Sequence, residues 1–151
     1  MGTIKFSNRT SEVHYEGELK DVLRDLSQKE NLRSAFLPSE VMPGADFKGL
    51  KLPFATLSHS DLHDSDFSGA VLYFTHFHGC NLKGCNFEGA NLVHADFHYA
   101  AIQGASFKGA YMKGCTGLKD NILPEGAIDA DPPDDAFTVP NINHWARKTN
   151  S

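Results

Sequence analysis

Eight histidines and three cysteines are the side chains of this 151-residue chain that could ligate a metal or act as nucleophile or base. Six of the imidazoles (His59, His63, His76, His78, His94, His98) are spaced so that His78 and His98 stand twenty residues apart, while Cys80 and Cys85 stand five apart. Imidazoles brought to ladder spacing could share a zinc or nickel ion, and neighbouring thiols could exchange electrons. Asp96 is the one acid that falls with His59, His76, His78 and His98, so these histidines read as solvated positions rather than a ligand set. Three cysteines, Cys80, Cys85 and Cys115, are an odd number without a secretory leader, which excludes a disulfide framework and leaves reduced thiols. No Ser-His-Asp order and no phosphate-cradling glycine loop stands out.

The glycines recur for another reason. Read in fives from Ala45, the chain gives fourteen units without insertion or loss, from ADFKG at Ala45 to AYMKG at Ala110. The third residue of every unit is Phe, Leu, Ile or Met, and the first is Ala, Ser, Thr or Cys in every unit except that of Leu50. Asp or Asn is favoured at the second position and Gly at the fifth. A large residue two positions after a small one is a period-2 inward pattern interrupted by turns, and glycine supplies the positive φ that tight corners require. Cys80 and Cys85 occupy first positions and therefore fill core space as small hydrophobes. With four units per coil, residues twenty apart stack: Phe47, Phe67, Phe87 and Phe107 form one column, Leu52, Leu72, Leu92 and Met112 the opposite one, and Phe77 lies over Phe97. Two weaker units extend the phase back to Ala35.

The pattern Ala, then Asp or Asn, then Leu or Phe, then two variable residues resembles the pentapeptide-repeat family. That resemblance implies an all-β solenoid: a right-handed quadrilateral β-helix, here of about four coils. The expected organisation is an N-terminal segment 1–34 with a capping helix, a β-helix over 35–114, and an irregular, acidic, proline-containing segment 115–151 that is partly docked. The cap is predicted from Glu18 to Leu32, where Leu19, Val22, Leu23 and Leu26 share one helical face; Ile4 and Phe6 add a short strand. Covering the end is a physical requirement, because an open solenoid end exposes core and unpaired edges. After Gly114 the phase fails where Gly117 would occupy a core centre. Further on, Phe137, Val139, Ile142 and Trp145 supply apolar anchors.

Two outward features are the candidate sites. Phe54, Val71, Tyr73, Phe74, Val93 and Tyr111 fall on one face as an exposed apolar and aromatic stripe, the kind of patch that marks a covered or binding surface. Cover by the chain's own termini and contact with a partner or a second copy of the chain both remain open here. Glu40, Asp46, Asp61, Asp64 and Asp66 form an acidic edge over two adjacent faces that could attract a basic partner surface. A net charge of −5 disfavours direct nucleic-acid binding. From Asp46 to Lys113 six acids face five lysines, so mimicry of a nucleic acid is confined to the acidic edge. No apolar run reaches the length of a leader or a membrane span, and a cytoplasmic protein without membrane attachment is expected. A filled helix implies no enzyme, no cofactor and no metal.

The resemblance implies a binding role: relatives mimic duplex DNA and bind DNA gyrase, and similar small phage or prophage members suggest an inhibitor of a host-defence complex, of anti-restriction or anti-CRISPR type. The expectation is therefore an inhibitor or protector of a nucleic-acid-handling enzyme, with a protein partner and a homodimer in prospect. The alternative is a scaffold or adaptor using the aromatic face.

Overall fold

The computed structural model describes residues 2–6, 12–29 and 32–133. From Phe36 onward the chain is a ladder of single-residue parallel bridges, each joining a residue to the one twenty positions later: Asp46 to Asp66, Asp66 to Asn86 and Asn86 to Ser106 on one face, and likewise on the others. Four five-residue units therefore make one coil. The faces are numbered by their central residues: face 1 carries Leu37, Leu57, Phe77 and Phe97; face 2 Met42, Leu62, Leu82 and Ile102; face 3 Phe47, Phe67, Phe87 and Phe107; face 4 Leu52, Leu72, Leu92 and Met112.

The backbone hydrogen bonds explain the repeat position by position. The central N–H donates to the next coil (Phe67 N to Asn86 O, 2.7 Å), and so does the fifth (Gly69 N to Glu88 O, 2.9 Å). The second N–H donates to the preceding coil (Asp66 N to Ala45 O, 3.0 Å). The first closes the preceding turn, as in Ala70 N to Phe67 O at 3.0 Å. That leaves the fourth N–H without a backbone partner, and the side chain two residues earlier accepts it: Asp66 Oδ1 from Ser68 N at 2.9 Å, Asn86 Oδ1 from Glu88 N at 2.9 Å, Asp96 Oδ1 from His98 N at 2.9 Å. A buried or half-buried N–H needs such a partner. The preference for Asp and Asn is thus a backbone requirement.

Inside, the rings of Phe47, Phe67, Phe87 and Phe107 stack at centroid spacings of 4.7, 4.9 and 5.1 Å. Phe77 and Phe97 stack at 5.3 Å and meet the first column edge to face, Phe77 against Phe87 at 5.8 Å and 81°. Both geometries suit the ring quadrupole. Small first-position residues line the corners, and their polar atoms are used. The thiols of Cys80, Cys85 and Cys115 donate to the carbonyls of Leu57, Leu62 and Leu92 at 2.9, 3.0 and 2.8 Å. Ser65 Oγ accepts from Ala45 N at 3.1 Å and donates to Met42 O at 3.2 Å, so a hydroxyl is inserted where neighbouring turns close directly. Among the described residues no buried side-chain nitrogen or oxygen lacks a partner.

Three strands and a helix form the N-terminal end. Strands β1 (Gly2–Phe6) and β2 (Glu12–Tyr15) make an antiparallel hairpin, and β1 also pairs antiparallel with β3 (Ala35–Phe36), the first rung of the solenoid. The edge is thereby occupied within the chain. Helix α1 (Leu19–Lys29) buries Leu19 and Leu23 in the solenoid core together with Ile4, and Arg24 pairs with Asp46 at 2.9 Å. Helix α1 is described over Leu19–Lys29, and Leu32, where periodicity puts the helix end, is non-helical and a buried core residue. Among the described residues no helix is long and apolar enough to cross a membrane.

The other end departs from the expected boundary. The ladder continues past Gly114 to a bridge between Asp96 and Thr116. At Gly117 any Cβ would run into the backbone nitrogen of His98, so only glycine lets the chain leave against that backbone. It returns over faces 3 and 4: Gly109 N donates to Gly126 O, Ile128 bridges Tyr111, and Lys113 pairs with Asp131 at 3.1 Å. Leu118, Leu123 and Ala127 close the top of the core. The first part of the segment expected to be irregular is thus a partial fifth coil. The expected docking of Phe137 to Trp145 lies outside the described residues.

Candidate partner-binding surface

Each unit turns at its fourth and fifth residues, and the fifth sits at positive φ, the requirement of a type II turn. Face 3 meets it with glycine throughout: Gly49, Gly69, Gly89 and Gly109. Face 4 does not. Phe54 (φ 58°), Phe74 (φ 56°) and His94 (φ 57°) take the left-handed conformation with bulky side chains, as do His59 (φ 62°) and Tyr99 (φ 60°) on face 1. L-residues there cost about 1–2 kcal/mol each, so two adjacent corners carry strain that glycine avoids elsewhere in the same fold.

Those side chains form ordered ring ladders. Phe54 stacks on Phe74 at 4.9 Å and 7°, and Phe74 on His94 at 4.7 Å and 21°. The Arg33 guanidinium lies over the Phe54 ring at 4.4 Å, a cation–π contact that closes the lower end. Around the next corner His59 meets His78 edge to face at 5.4 Å, and His78 meets Tyr99 at 5.2 Å.

All six residues of the predicted aromatic stripe come together, in a cluster separate from the main core. They are not the exposed stripe the sequence suggests, which is a correction. Val71, Tyr73 and Val93 are 3 %, 6 % and 0 % exposed, and Phe54, Phe74 and Tyr111 are half-buried. Burial raises the Tyr73 phenol above its ordinary value, with Arg33 pulling the other way. Among the described residues the most exposed aromatic residue is Tyr99 at 85 %, with Phe36 at 45 % on the same face. Tyr99, Phe36 and His94 were absent from the predicted set. For Tyr99 and His94 the signal is readable in the repeat, a bulky residue at the fifth position where glycine is the rule; Phe36 stands at the second position, where Asp or Asn is favoured.

The acidic edge is placed as expected on faces 2 and 3, but its carboxylates are engaged in structure. Asp46 accepts from Lys48 N at 3.0 Å and pairs with Arg24, and Asp66 caps its own turn. Asp66 lies below the ordinary carboxylate value: burial pushes it up, and hydrogen bonds from Ser68 with the charge of Lys48 outweigh that. Asp61 contacts His63 Nδ1 at 2.7 Å and accepts from Asn81 Nδ2 at 3.0 Å. Glu40, half-buried, has its carboxyl raised by burial. Asp64 stays exposed at a corner, its carboxylate lying where a side chain on Gly84 would project.

The histidines expected to be solvated lie on face 1, where His98 and His76 approach Asp96 at 2.6 and 3.9 Å. No group of three or more potential metal ligands occurs among the described residues. Burial pushes the Cys80 and Cys85 thiols up to about 11 and Cys115 to about 12, far from nucleophilic thiolates.

Residues 42–73 and 70–109 match the model of pentapeptide repeats, in eight copies. Residues 42–109 of the solenoid are pentapeptide repeats. Similar solved structures include HetL, a pentapeptide-repeat protein involved in heterocyst differentiation regulation in the cyanobacterium Nostoc sp. strain PCC 7120, at 25 % identity over 61 % of this chain and 37 % of that one, TM-score 0.43. QnrB1, a plasmid-mediated fluoroquinolone resistance protein, is 23 % identical over 53 % of this chain and 44 % of its own, TM-score 0.38. Rfr23 of the cyanobacterium Cyanothece 51142 is 18 % identical over 74 % of this chain and 99 % of its own, TM-score 0.41. The chain spans less than half the length of HetL and QnrB1. No curated protein matches it.

Proposed function

We propose that this pentapeptide-repeat protein is a non-enzymatic protein-binding module, an inhibitor or protector of a nucleic-acid-handling enzyme such as DNA gyrase or of a host-defence complex. Its contact surface is the aromatic side formed by face 4 and its corner with face 1. The observation that carries this reading is the ring ladder Phe54–Phe74–His94 on left-handed backbone. The same corner on face 3 is built from glycine alone, so the solenoid does not need these rings, whereas protein interfaces are enriched in aromatic residues. The target class comes from the family resemblance. The acidic edge supports it less, since Asp46, Asp61 and Asp66 are already used in turns and pairs, although their charge still reaches solvent.

The test is a gyrase supercoiling assay, with and without a quinolone, using the intact protein and Phe74→Gly, whose φ of 56° suits glycine. Inhibition or protection by the wild type and its loss in Phe74→Gly, with stability close to that of the wild type, is the expected result. An inert wild type removes gyrase as target. The adaptor reading then takes precedence, on the same surface, with light scattering and pull-down as its measures.

A further inference from the structure

At the N-terminal end the strand order β2-β1-β3 leaves β2 with one side unpaired among the described residues. Which groups that side presents follows from the first rung of the solenoid. Thr56 N donates to Ala35 O and Leu37 N donates to Thr56 O, so the N–H and C=O of Phe36 between them turn toward β1, opposite Lys5. Alternation then turns Ile4 toward Val13, and the backbones of Glu12 and His14 away from the sheet. The edge is firmly placed, because the sheet runs on through Phe36, Thr56, His76 and Asp96 as the ladder of face 1. Beside it lies a groove between β2 and α1. Its floor of Val13, Tyr15 and Val22 is apolar and half-buried, and its rim carries Glu16, Glu18 and Asp21, all exposed. No lysine or arginine lines it among the described residues. The Tyr15 phenol lies above its ordinary value through burial first, and then through the charges of Glu40 and Glu18.

We propose that this edge and groove bind an extended, lysine- or arginine-rich segment of a protein partner, which adds to β2 as a fourth strand. Strand addition draws affinity from main-chain hydrogen bonds and selectivity from alternate side chains. Here Glu12 and His14 supply the main-chain groups, and an open edge is a ready template for pairing. Long basic side chains suit the groove, because their methylene stems cover the apolar floor while their charged ends reach the carboxylates. The same charge argues against a second copy of this chain as the occupant. Laying β2 on β2 brings two acidic rims together, and like charges so placed repel. The proposal rests neither on the aromatic side of the solenoid nor on gyrase as target.

The probe is a synthetic peptide, Lys-Thr-Lys-Val-Lys-Thr-Lys, titrated into the full-length protein and followed by fluorescence anisotropy and by amide nuclear magnetic resonance. Saturable binding that shifts the Glu12 and His14 amides is the expected result. Combining Glu18→Lys with Asp21→Lys should weaken it about tenfold, the scale of a few exposed ion pairs reversed. Glu88→Lys, the same kind of charge reversal on face 3, should leave it unchanged. The peptide with all its amides N-methylated keeps its charge but cannot pair with a strand edge, and should lose the binding. Because that change is made in the ligand, it tests strand addition whether or not a protein variant folds. Equal affinity for the N-methylated peptide, or for the counterpart Glu-Thr-Glu-Val-Glu-Thr-Glu, overturns the proposal. So does a wild type that binds nothing, or an undiminished affinity in the doubly reversed protein. Shifts at Glu12 and His14 that appear on concentrating the protein alone overturn it too, since a second copy is then the occupant.

Discussion

Phe74 shows how much one side chain in a repeat can be asked to do. Its backbone φ of 56° would suit glycine, its ring is sandwiched between Phe54 and His94, and it borders the buried Tyr73. Phe74→Gly removes left-handed strain of about 1–2 kcal/mol and forfeits ring contacts worth about 0.5–1.5 kcal/mol plus some buried area. The two effects nearly cancel. Chemical denaturation should therefore place the variant within about 1 kcal/mol of wild type, while activity in the gyrase assay falls; a loss several times larger would mean the ring is structural. The Asp61–His63 pair makes a second prediction. The hydrogen bond to Asp61 raises His63 above its ordinary value of 6.5, and the hydrogen bond from His63 holds Asp61 below 3.8. The histidine's contribution is complete below 6.5 and fades as pH rises through its raised value; the carboxylate's is complete above 3.8 and fades as pH falls through its lowered one. Thermal melts of wild type and His63→Gln should thus differ most between pH 3.8 and 6.5 and converge in alkali. A gap that widens with rising pH would contradict the assigned pair. At this scale the sequence displayed the positions but hid their reasons. Second-position Asp and Asn looked like available charge until the orphan fourth N–H was located, and the bulky fifth-position residues stood out only against a column of glycines.

The elements at the two ends differ in how far they could be read. Helix α1 was legible because Leu19, Val22 and Leu23 repeat at helical spacing among charges. Strand β2 was not, since Glu12–Tyr15 has a single aliphatic residue, Val13, and its pairing depends on β1 lying against the first rung. The return of the chain at Gly126–Ile128 was equally hidden, because one rung of hydrogen bonds leaves no periodicity. The cap's own energetics rest on apolar contact. Arg24 reaches Asp46 and the carbonyls of Asp46 and Lys48, but both partners are substantially exposed, and such pairs contribute at most about 1 kcal/mol. Leu23, fully buried against the base of the core, matters more. Leu23→Ala should cost about 2–5 kcal/mol and open the first coil, giving concentration-dependent association through the bared edge and apolar surface. Size-exclusion chromatography at several concentrations checks it. A variant that loses stability yet stays at wild-type size at every concentration would show that the β1 strand alone protects the end.

As a whole, the molecule is a stack in which each coil touches only its neighbours, plus two unlike lids. The twenty-residue period announced that design because stacked phenylalanines must share a column; the burial of Tyr73 and Val93 on face 4 could not be announced, since outward positions obey no period. In such a stack, stability is a sum of coil and interface terms, and cooperativity depends on the interfaces at mid-length. Phe87 sits there. It stacks on Phe67 and Phe107 and meets Phe77 and Phe97 edge to face. Phe87→Ala deletes the middle of both ring columns' contacts, at a cost of about 3–5 kcal/mol. The consequence should exceed that number. With the central interface weakened, the N-terminal coils held by α1 and β1 and the C-terminal coils held by the partial fifth coil become separately stabilised blocks. Urea unfolding followed by far-ultraviolet circular dichroism should change from one transition to a broadened or two-step curve with a smaller apparent slope. Leu23→Ala, at the end of the stack, should instead shift the midpoint and leave the slope. A Phe87→Ala protein that unfolds in one sharp step with the wild-type slope would mean that cooperativity is carried along the backbone ladder, whose hydrogen bonds this substitution leaves in place, rather than through the stacked rings.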